Sequence, residues 1–499
     1  MRAAFLVRGL STAARRQLKT RQLVDVSIET LDVHGLGIGR DATTGVLCAV
    51  NGAIPGEHIK GRVLQDSVVP VRVAQMELVA ASPHYLAPVC PYFNNCGGCK
   101  TQHYPYDKQV EAKQAAIETT LDRSDVMRME AAVATFGYRN KMEFTYSAGR
   151  WLTLLDPVQD THQPTIGLFP KSKGTRRWDG RVVAVDRCEL QSDVGNRILA
   201  SLWRVCRNTA VQPYDFLRHT GHLRHLVVRV GSTAVGETQI LLGLGTATID
   251  DATTPLMEAF VAQLLAEAND AASIVSIVQF MDDEMVRRVR KAQQGTPPAE
   301  TLRMLHGQPF MKDTILGKEF RVSLHSFFQP NTAMASVLYA HINTVLQRRP
   351  SPPVVWDLFC GVGSIGICAA DHCAHVVGID VVPDAIVDAH ANAVDNGVAD
   401  KMSFLCRDVL ADGVPDGLPH PDVVIVDPPR AGLNGALVEF LATTVAPEEI
   451  VYVSCNVVSQ ARDLKLFAGK YDVVHIQPVD MLPHTPHVEN IVHLRKVQS

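Results

Sequence analysis

The last third of the 499-residue chain alternates short apolar runs with helical stretches, and this alternation limits the fold more than any other feature of the sequence. Runs that are apolar at every position are typical of strands buried on both faces. Such strands, separated by helices, indicate a parallel sheet in a doubly wound α/β fold. The sequence therefore predicts a Rossmann-like C-terminal domain over residues 326–499. Its expected strands are 354–359, 376–380, 402–406, 423–426, 449–454 and 473–478.

A small β-rich block lies near the N-terminus. Residues 23–81 alternate apolar runs with Gly, Asn-Gly and Pro-Gly turn signals, and five short strands at this spacing predict an OB-like barrel. Barrels of this kind often bind single-stranded nucleic acid through a partly aromatic face. This one offers few aromatic residues, so a packing or spacer role is an equal alternative.

A central block over residues 82–325 shows a mixed α/β pattern, and the predicted fold class of the whole chain is therefore α/β with an N-terminal barrel. Residues 293–298 indicate an exposed loop in this block. The expected helices are 107–121, 255–268 and, leading into the next domain, 332–347, and the expected strands are 141–146, 182–185, 226–230 and 239–242.

Residues 1–22 contain six Arg and Lys residues and no Asp or Glu. This composition favours an organellar transit peptide over a secretory signal, because a long apolar core and a small-residue cleavage site are missing. A basic tail that contacts RNA is the alternative. A transit peptide predicts a mitochondrial protein, and without one the chain would be cytoplasmic or nuclear.

The overall composition excludes several classes of protein. With 46% hydrophobic and 20% charged residues, the chain is neither globally disordered nor a long coiled coil. No stretch approaches about 18 consecutive apolar residues, so we expect no membrane-spanning helix. The net charge of −4 argues against a histone-like mode of binding but leaves room for a local basic groove. We expect a monomer.

A glycine-rich turn follows the first strand of the C-terminal domain, in the sequence D-L-F-C-G-V-G-S-I-G over residues 357–366. Gly361 and Gly363 let the backbone approach a ligand closely, and free amides at the helix start near Ser364 suit polar groups. The next strand ends in Asp380, where a carboxylate can bind ribose hydroxyls. S-adenosylmethionine fits this turn better than a nicotinamide dinucleotide, because strict G-x-G-x-x-G spacing is missing; a tight turn without a ligand is the alternative.

Two reactive side chains follow later strands of the same domain. Cys455 directly follows the run 449–454, at the edge where open α/β sheets bind ligands. Glu489 precedes a last apolar strand over 491–494. A thiolate at this edge can act as a nucleophile if a nearby charge lowers its pKa. Taken alone, Cys455 would be a small buried apolar residue and Glu489 a solvated charge.

Three cysteines lie close together in the pattern C-x5-C-x2-C at Cys90, Cys96 and Cys99, and Cys188 is a candidate fourth ligand. Four thiolates can hold either a [4Fe–4S] cluster or zinc, and the spacing alone does not separate them.

Five motifs together give the chain a specific resemblance that runs from about residue 23 to residue 497. They are F-F-Q-P-N (327–331), D-L-F-C-G-V-G (357–363), D-P-P-R-A-G-L (427–433), Y-V-S-C-N (452–456) and M-L-P-H-T-P-H-V-E (481–489). The chain resembles the RNA uracil-5-methyltransferase family in all five, and its N-terminal barrel resembles the TRAM domain of the ribosomal-RNA branch of that family.

The resemblance implies a role for each matching residue. Cys455 would add to carbon 6 of a uracil, and Glu489 would remove the carbon-5 proton after methylation. A base attacked on its ring faces must be flipped out of its stack, which favours a uridine in single-stranded or loop RNA. Asp380 stands where the family usually has Glu, so we expect shifted cofactor contacts there. The residues expected to contact S-adenosylmethionine are Gln329, Phe359, Asp380 and Asp427, the last also lying near the target base.

The ribosomal-RNA branch carries an iron–sulfur cluster on a matching cysteine pattern. The resemblance therefore implies a [4Fe–4S] cluster rather than zinc on Cys90, Cys96, Cys99 and Cys188, with a structural or RNA-positioning role. It also implies ribosomal RNA as the substrate, or transfer RNA as in relatives with organellar leaders.

Two other functions are compatible with parts of this pattern. RNA cytosine-5 methyltransferases use the same thiolate chemistry, but they typically carry a Pro-Cys pair where this chain has Pro428, Pro429 and Arg430. An RNA-binding or chaperone protein with a vestigial methyltransferase domain is the non-enzymatic alternative, and the presence of Cys455, Glu489 and Asp427 argues against it.

Overall fold

The computed structural model describes residues 18–153, 156, 160–171, 180–282 and 301–498. The predicted loop 293–298 and residues 1–17 of the predicted leader lie outside these ranges. Leu18, within the predicted leader, is 3% exposed and packs with the apolar side chains of the barrel.

Five strands form a closed barrel in the order β1-β2-β3-β5-β4, which confirms the predicted N-terminal five-stranded barrel. Alternate residues of the first strand, Val24, Val26 and Ile28, point into its core because side chains alternate across a strand. The strands are β1 (Leu23–Leu31), β2 (Leu36–Asp41), β3 (Leu47–Asn51), β4 (His58–Gln65) and β5 (Val71–Ala80).

The central block forms a seven-stranded sheet and a separate two-stranded hairpin. Its elements are α1 (Tyr106–Leu121), β6 (Lys141–Ser147), β7 (Thr165–Leu168), β8 (Val183–Ala184), α2 (Asp193–Asn208), β9 (Leu223–Ser232), β10 (Thr238–Thr246), α3 (Thr254–Glu267), β11 (Ile274–Met281), β12 (Leu302–Gly307), β13 (Phe310–Ile315) and β14 (Lys318–Ser323).

The large central sheet has the order β12-β11-β10-β9-β6-β7-β8. Helices α2 and α3 cover one face, where Leu202 and Phe260 are fully buried against the sheet. The β13–β14 hairpin contributes Phe320 to a second core, which continues into the C-terminal domain. The two sheets therefore share apolar packing rather than being joined only by a linker.

The C-terminal domain is a seven-stranded sheet of order β17-β16-β15-β18-β19-β21-β20. Its elements are α4 (Thr332–Gln347), β15 (Val354–Leu358), α5 (Ser364–Ala369), β16 (His375–Asp380), α6 (Pro383–Asp395), β17 (Met402–Cys406), β18 (Val423–Val426), α7 (Gly435–Glu439), β19 (Glu449–Ser454), α8 (Val457–Phe467), β20 (Tyr471–Val479) and β21 (Glu489–Lys496). Short 3₁₀ turns lie at Ala271–Ser273, Ala370–His372 and Ala399–Lys401, and a π-helical turn at Phe440–Val445.

Strands β15 to β19 of this sheet pair in parallel, as their apolar runs predict. The last strand differs, because β21 runs antiparallel to both β19 and β20. The expectation of a parallel sheet throughout is wrong at this strand. The segment 480–488 is shorter than the roughly dozen residues that a parallel crossover needs, so the chain can only turn back.

Strand order reverses between β15 and β18, and the carboxyl ends of both strands face a crevice at this point. This crevice lies next to the end of β19, which carries Cys455. No helix within the described ranges is long and apolar enough to cross a membrane.

Leu18→Ala should weaken the barrel by about 2 to 3 kcal/mol, because it removes a buried side chain from a small core. The matched control Leu23→Ala, at a side chain that is 66% exposed, should cost less than about 0.5 kcal/mol. The measurement is the free energy of local opening of β1 and β4 from hydrogen exchange. Equal losses in the two variants would contradict the packing of Leu18 in the barrel.

Candidate active site

The glycine turn after β15 is built on left-handed backbone conformations. Phe359, Gly361 and Gly363 have φ angles of 66°, 54° and 78°. A Cβ at Gly363 would lie 3.2 Å from Ile367 Cδ1, so a side chain there would crowd the helix that begins at Ser364. The turn brings the amide of Gly361 to the end of the neighbouring strand.

Asp380 at the end of β16 receives that amide. Its Oδ2 accepts a hydrogen bond from the Gly361 N–H at 2.9 Å, and its Oδ1 accepts one from the Val382 N–H at 2.9 Å. Burial raises the pKa of the Asp380 carboxyl, while these amide donors oppose the shift. The carboxylate therefore holds the turn in place, and each oxygen retains a second lone pair for a ligand.

The structure gives one contact for each of three other residues expected at the cofactor site. Gln329 is 4% exposed, and its backbone carbonyl accepts a hydrogen bond from Asn140 Nδ2 at 2.8 Å. The Phe359 N–H donates to the Ile379 carbonyl at 2.8 Å. The Ser364 hydroxyl hydrogen-bonds the Tyr339 hydroxyl at 2.8 Å and therefore faces α4.

Asp357 is a site residue that the sequence reasoning did not single out. It lies in the apolar strand β15, and its Oδ2 accepts a hydrogen bond from the Gly366 N–H at 2.9 Å. Burial raises its pKa to about 7, and its Oδ1 has no hydrogen-bond partner among the described residues. The signal that could have revealed it is a charged residue inside an otherwise apolar strand.

The register of β19 and β21 brings Cys455 and Glu489 together. Ser454 pairs with Asn490 in this antiparallel ladder. Because residues step in opposite directions along antiparallel strands, the next pair outward is Cys455 with Glu489. Two residues that are separated by 34 positions in the chain are therefore neighbours at the sheet edge.

Asp427 completes a cluster of three half-buried acidic groups with these two side chains. Burial raises the pKa of the Asp427 carboxyl. Burial and then the charge of Asp427 raise the pKa of Glu489 well above its usual range. Burial raises the pKa of the Cys455 thiol to about 11, with further contributions from Glu489 and Asp427. The groups are close enough to disfavour each other's negative charge.

Arg430 is a cation that opposes these shifts, lowering the pKa values of both Cys455 and Glu489. Its loop is held by its own backbone carbonyl, which accepts hydrogen bonds from Asn456 Nδ2 at 2.8 Å and Ser459 Oγ at 3.2 Å. The sequence pattern gives no sign of this role for Arg430, because its proximity to Cys455 depends on tertiary structure.

The four cysteines expected to bind a cluster line one cavity of about 430 Å³. The Gly98 amide donates to Cys96 Sγ at 3.4 Å, and Gln102 Nε2 donates to Cys99 Sγ at 3.3 Å. Burial raises the pKa of the Cys90 and Cys188 thiols, and nearby backbone amides oppose the shift. In the described part of the chain, no group of three or more His, Cys, Asp and Glu side chains is arranged so as to hold a metal ion.

Known proteins resemble this chain over its C-terminal part and over nearly its whole length. Residues 420–497 match the tRNA (Uracil-5-)-methyltransferase family. The chain is 31% identical to an uncharacterized RNA methyltransferase of Caldanaerobacter subterraneus, with 95% of this chain and 99% of that protein aligned. It is 32% identical to an uncharacterized RNA methyltransferase of Bacteroides thetaiotaomicron, with 88% of this chain and 94% of that protein aligned.

A solved structure shares the fold. It is the tRNA (uracil-54, C5)-methyltransferase of Pyrococcus abyssi in complex with S-adenosyl-L-homocysteine, with a TM-score of 0.69 and 23% sequence identity. The alignment covers 94% of this chain and 99% of that chain.

The N-terminal barrel, the mixed α/β architecture and the full-length relatives together define an RNA methyltransferase. More particularly, the chain belongs to the RNA (uracil-5-)-methyltransferase family. The family predicted from the five sequence motifs is confirmed.

The raised pKa of Cys455 predicts a steep pH dependence of its reactivity in the free protein. Its alkylation by iodoacetamide should accelerate about tenfold per pH unit from about pH 7 to about pH 9, because the thiolate fraction grows tenfold per unit below the pKa. Mass spectrometry of the Cys455 peptide measures the rate, with Cys455→Ala giving the background. Arg430→Met should slow the reaction, since it removes a cation that lowers the pKa. A rate that is already level near pH 7 would contradict the assigned environment.

Proposed function

We propose that this chain methylates carbon 5 of a uridine in RNA by covalent catalysis, with Cys455 as nucleophile and Glu489 as base. The β19–β21 register carries this proposal, because it sets a thiol beside a carboxyl at the sheet edge that adjoins the glycine turn. A thiol and a carboxyl that can reach one pyrimidine ring are the two groups that this reaction needs.

The first steps of the reaction belong to the thiolate. Cys455 Sγ bonds to carbon 6 of the uracil, and the electron pair of the carbon 5–carbon 6 double bond moves into an enolate. Carbon 5 then becomes nucleophilic enough to accept a methyl group. When bound, S-adenosylmethionine would supply that methyl group as an electrophile and leave as the thioether S-adenosylhomocysteine, and the predicted residues around the glycine turn would hold it.

The last steps belong to the carboxylate. Glu489 removes the proton from the methylated carbon 5, and the returning electron pair restores the double bond as the bond between Sγ and carbon 6 breaks. Its buried environment, which raises its pKa, makes the ionised form of Glu489 a stronger base. Asp427 lies close enough to raise the pKa of both groups, and in this proposal it also lies near the target base.

The substrate in this proposal is RNA with an accessible uridine. Attack on the ring faces requires the base to leave its stack, which costs least in single-stranded or loop regions. Ribosomal RNA is the proposed target and transfer RNA the alternative. The barrel lies against residues 100–101, which follow the cysteines, since the His34 carbonyl accepts a hydrogen bond from Lys100 Nζ at 3.0 Å.

RNA containing 5-fluorouridine should form a denaturation-resistant adduct with the protein in the presence of S-adenosylmethionine, because fluorine at carbon 5 cannot leave as a proton. Cys455→Ala should form none, and Glu489→Gln should still form it. Gel electrophoresis with labelled cofactor measures the adduct. A Cys455→Ala protein that traps RNA would sink the proposal, and trapping on 5-fluorocytidine RNA alone would favour cytosine methylation.

We also propose that Cys90, Cys96, Cys99 and Cys188 hold a [4Fe–4S] cluster. The cavity they line and the N–H donors directed at their sulfurs support this, because amide donors stabilise thiolates that ligate a metal. Such a cluster would tie the segment at Cys90–Cys99 to Cys188, before α2, without taking part in methyl transfer. Zinc on the same four thiolates is the alternative.

Protein purified without oxygen should contain about four iron and four sulfide ions per chain. Cys188→Ser should lower the iron content by removing one ligand. Cys206→Ser, at a buried cysteine that does not line the cavity, is the matched control and should leave it unchanged. Metal analysis decides the outcome, and zinc at about one ion per chain without iron would contradict the cluster.

A further inference from the structure

The segment 480–488 joins β20 to β21, and Glu489 is the first residue after it. We propose that Lys113 of α1 is a positioning residue that fixes this segment, and that it thereby controls release of methylated RNA from the covalent adduct more than formation of the adduct. The inference rests on the proposed function, since it takes Glu489 as the base for the elimination step.

Lys113 directs all its hydrogen-bonding capacity at this segment. Its Nζ donates to Asp480 Oδ1 at 2.7 Å, to the Leu482 carbonyl at 3.3 Å and to the His487 carbonyl at 3.2 Å. An ammonium has three N–H donors, so these contacts use each of them. One bonds the start of the segment and another bonds His487, two residues before Glu489.

This ion pair is deeply buried, with the Lys113 side chain 8% exposed and the Asp480 side chain 0% exposed. Burying two charges is unfavourable unless the geometry is specific, so such a pair contributes more to specificity of structure than to stability. Tyr106, also on α1, donates from its hydroxyl to Asp480 Oδ2 at 2.8 Å. Helix α1 therefore satisfies both oxygens of the carboxylate.

A second set of contacts fixes the middle of the segment. His484 has a φ angle of +64°, an unusual conformation for a residue with a side chain. Its amide donates to Gln109 Oε1 at 3.1 Å, and its carbonyl accepts from the Lys100 and Thr101 amides at 2.9 and 3.2 Å. These partners impose the turn from outside the C-terminal domain.

The barrel contacts the segment 480–488 from another side. Gly35 lies against Pro486, since a Cβ at Gly35 would be 3.0 Å from Pro486 Cβ. The segment 480–488 is thus enclosed by α1, by residues 100–101 after the cysteines and by the barrel turn at Gly35.

Cys455 is held by different contacts. It follows β19 directly, and Gln460 of α8 donates through Nε2 to the carbonyls of Tyr452 at 3.0 Å and Asn490 at 3.1 Å. Loss of Lys113 therefore leaves the nucleophile anchored but removes the hydrogen bonds to Asp480, Leu482 and His487 on the N-terminal side of Glu489. Adduct formation and elimination should respond differently to the same substitution.

The experiment compares two quantities in a single turnover with unmodified ribosomal and transfer RNA transcripts and methyl-labelled S-adenosylmethionine. The first is the total label joined to RNA, and the second is the fraction that remains bonded to protein after denaturation. In Lys113→Met, elimination should slow by about 10- to 100-fold, as expected for a misplaced catalytic group, while methyl transfer changes much less. The protein-bound fraction should therefore rise.

Three variants serve as checks. Lys113→Met/Asp480→Asn removes both charges, so it avoids an isolated buried carboxylate if the single variant fails to fold, and it should also accumulate adduct. Tyr106→Phe should show the same effect more weakly. Arg349→Met breaks the ion pairs with Glu448 and Glu449 at the opposite end of β19, and it should leave the partition between adduct and product unchanged.

The outcomes separate this inference from the function on which it rests. Adduct that accumulates in Glu489→Gln but in neither Lys113 variant would overturn the positioning role alone. An equal slowing of transfer and elimination in folded Lys113 variants would also overturn it. No methylated adduct in Glu489→Gln would overturn the assignment of Glu489 as base, and the present inference with it.

Discussion

The antiparallel pairing of β19 with β21 is the contact on which the candidate active site depends. Since Ser454 lies opposite Asn490, the residue after one strand and the first residue of the other become neighbours. A slip of one residue would turn Glu489 to the opposite face of the sheet, because side chains alternate along a strand. The ladder that leads up to this pair, from Glu449 opposite Arg495 onward, makes such a slip unfavourable.

The environment of the candidate active site disfavours the negatively charged forms of its acidic side chains. Cys455, Glu489 and Asp427 lie half-buried and close together, and the charge of Asp427 disfavours ionisation of the other two. Perturbed pKa values of this kind are typical of sites where a nucleophile and a base must work near neutral pH. The surrounding hydrogen bonds hold these groups in place, notably those from Asn456 and Ser459 to the loop of Arg430.

The three parts of the chain are packed into one unit around this site. The core that includes Phe320 of the hairpin also includes Leu338 of α4 and Val355 of β15. The barrel adds polar contacts, such as the hydrogen bond between His103 Nε2 and the Gly52 carbonyl at 3.0 Å. Substitutions in α1 or in the barrel turn can therefore affect a catalytic step in the C-terminal domain.

Local patterns predicted much of the fold with accurate boundaries. The helix over 332–347 and the strands over 402–406, 423–426 and 449–454 coincide with the observed elements. Their apolar periodicity and flanking turn residues are properties of short stretches, so they can be read directly. The hairpin β13–β14 was not predicted, because its strands are stabilised by their partners rather than by strong patterns.

The sequence by itself determined the five-stranded barrel, the strand and helix succession of the α/β domain and the family, since these depend on local periodicity and on motifs in a fixed order. Only the tertiary structure decided the reversed direction of β21, the pairing of Cys455 with Glu489 and the contact of Lys113 with Asp480. Lys113 and Asp480 are 367 positions apart in the chain. Contacts at such separations leave no periodic signal, because they arise from how completed elements pack.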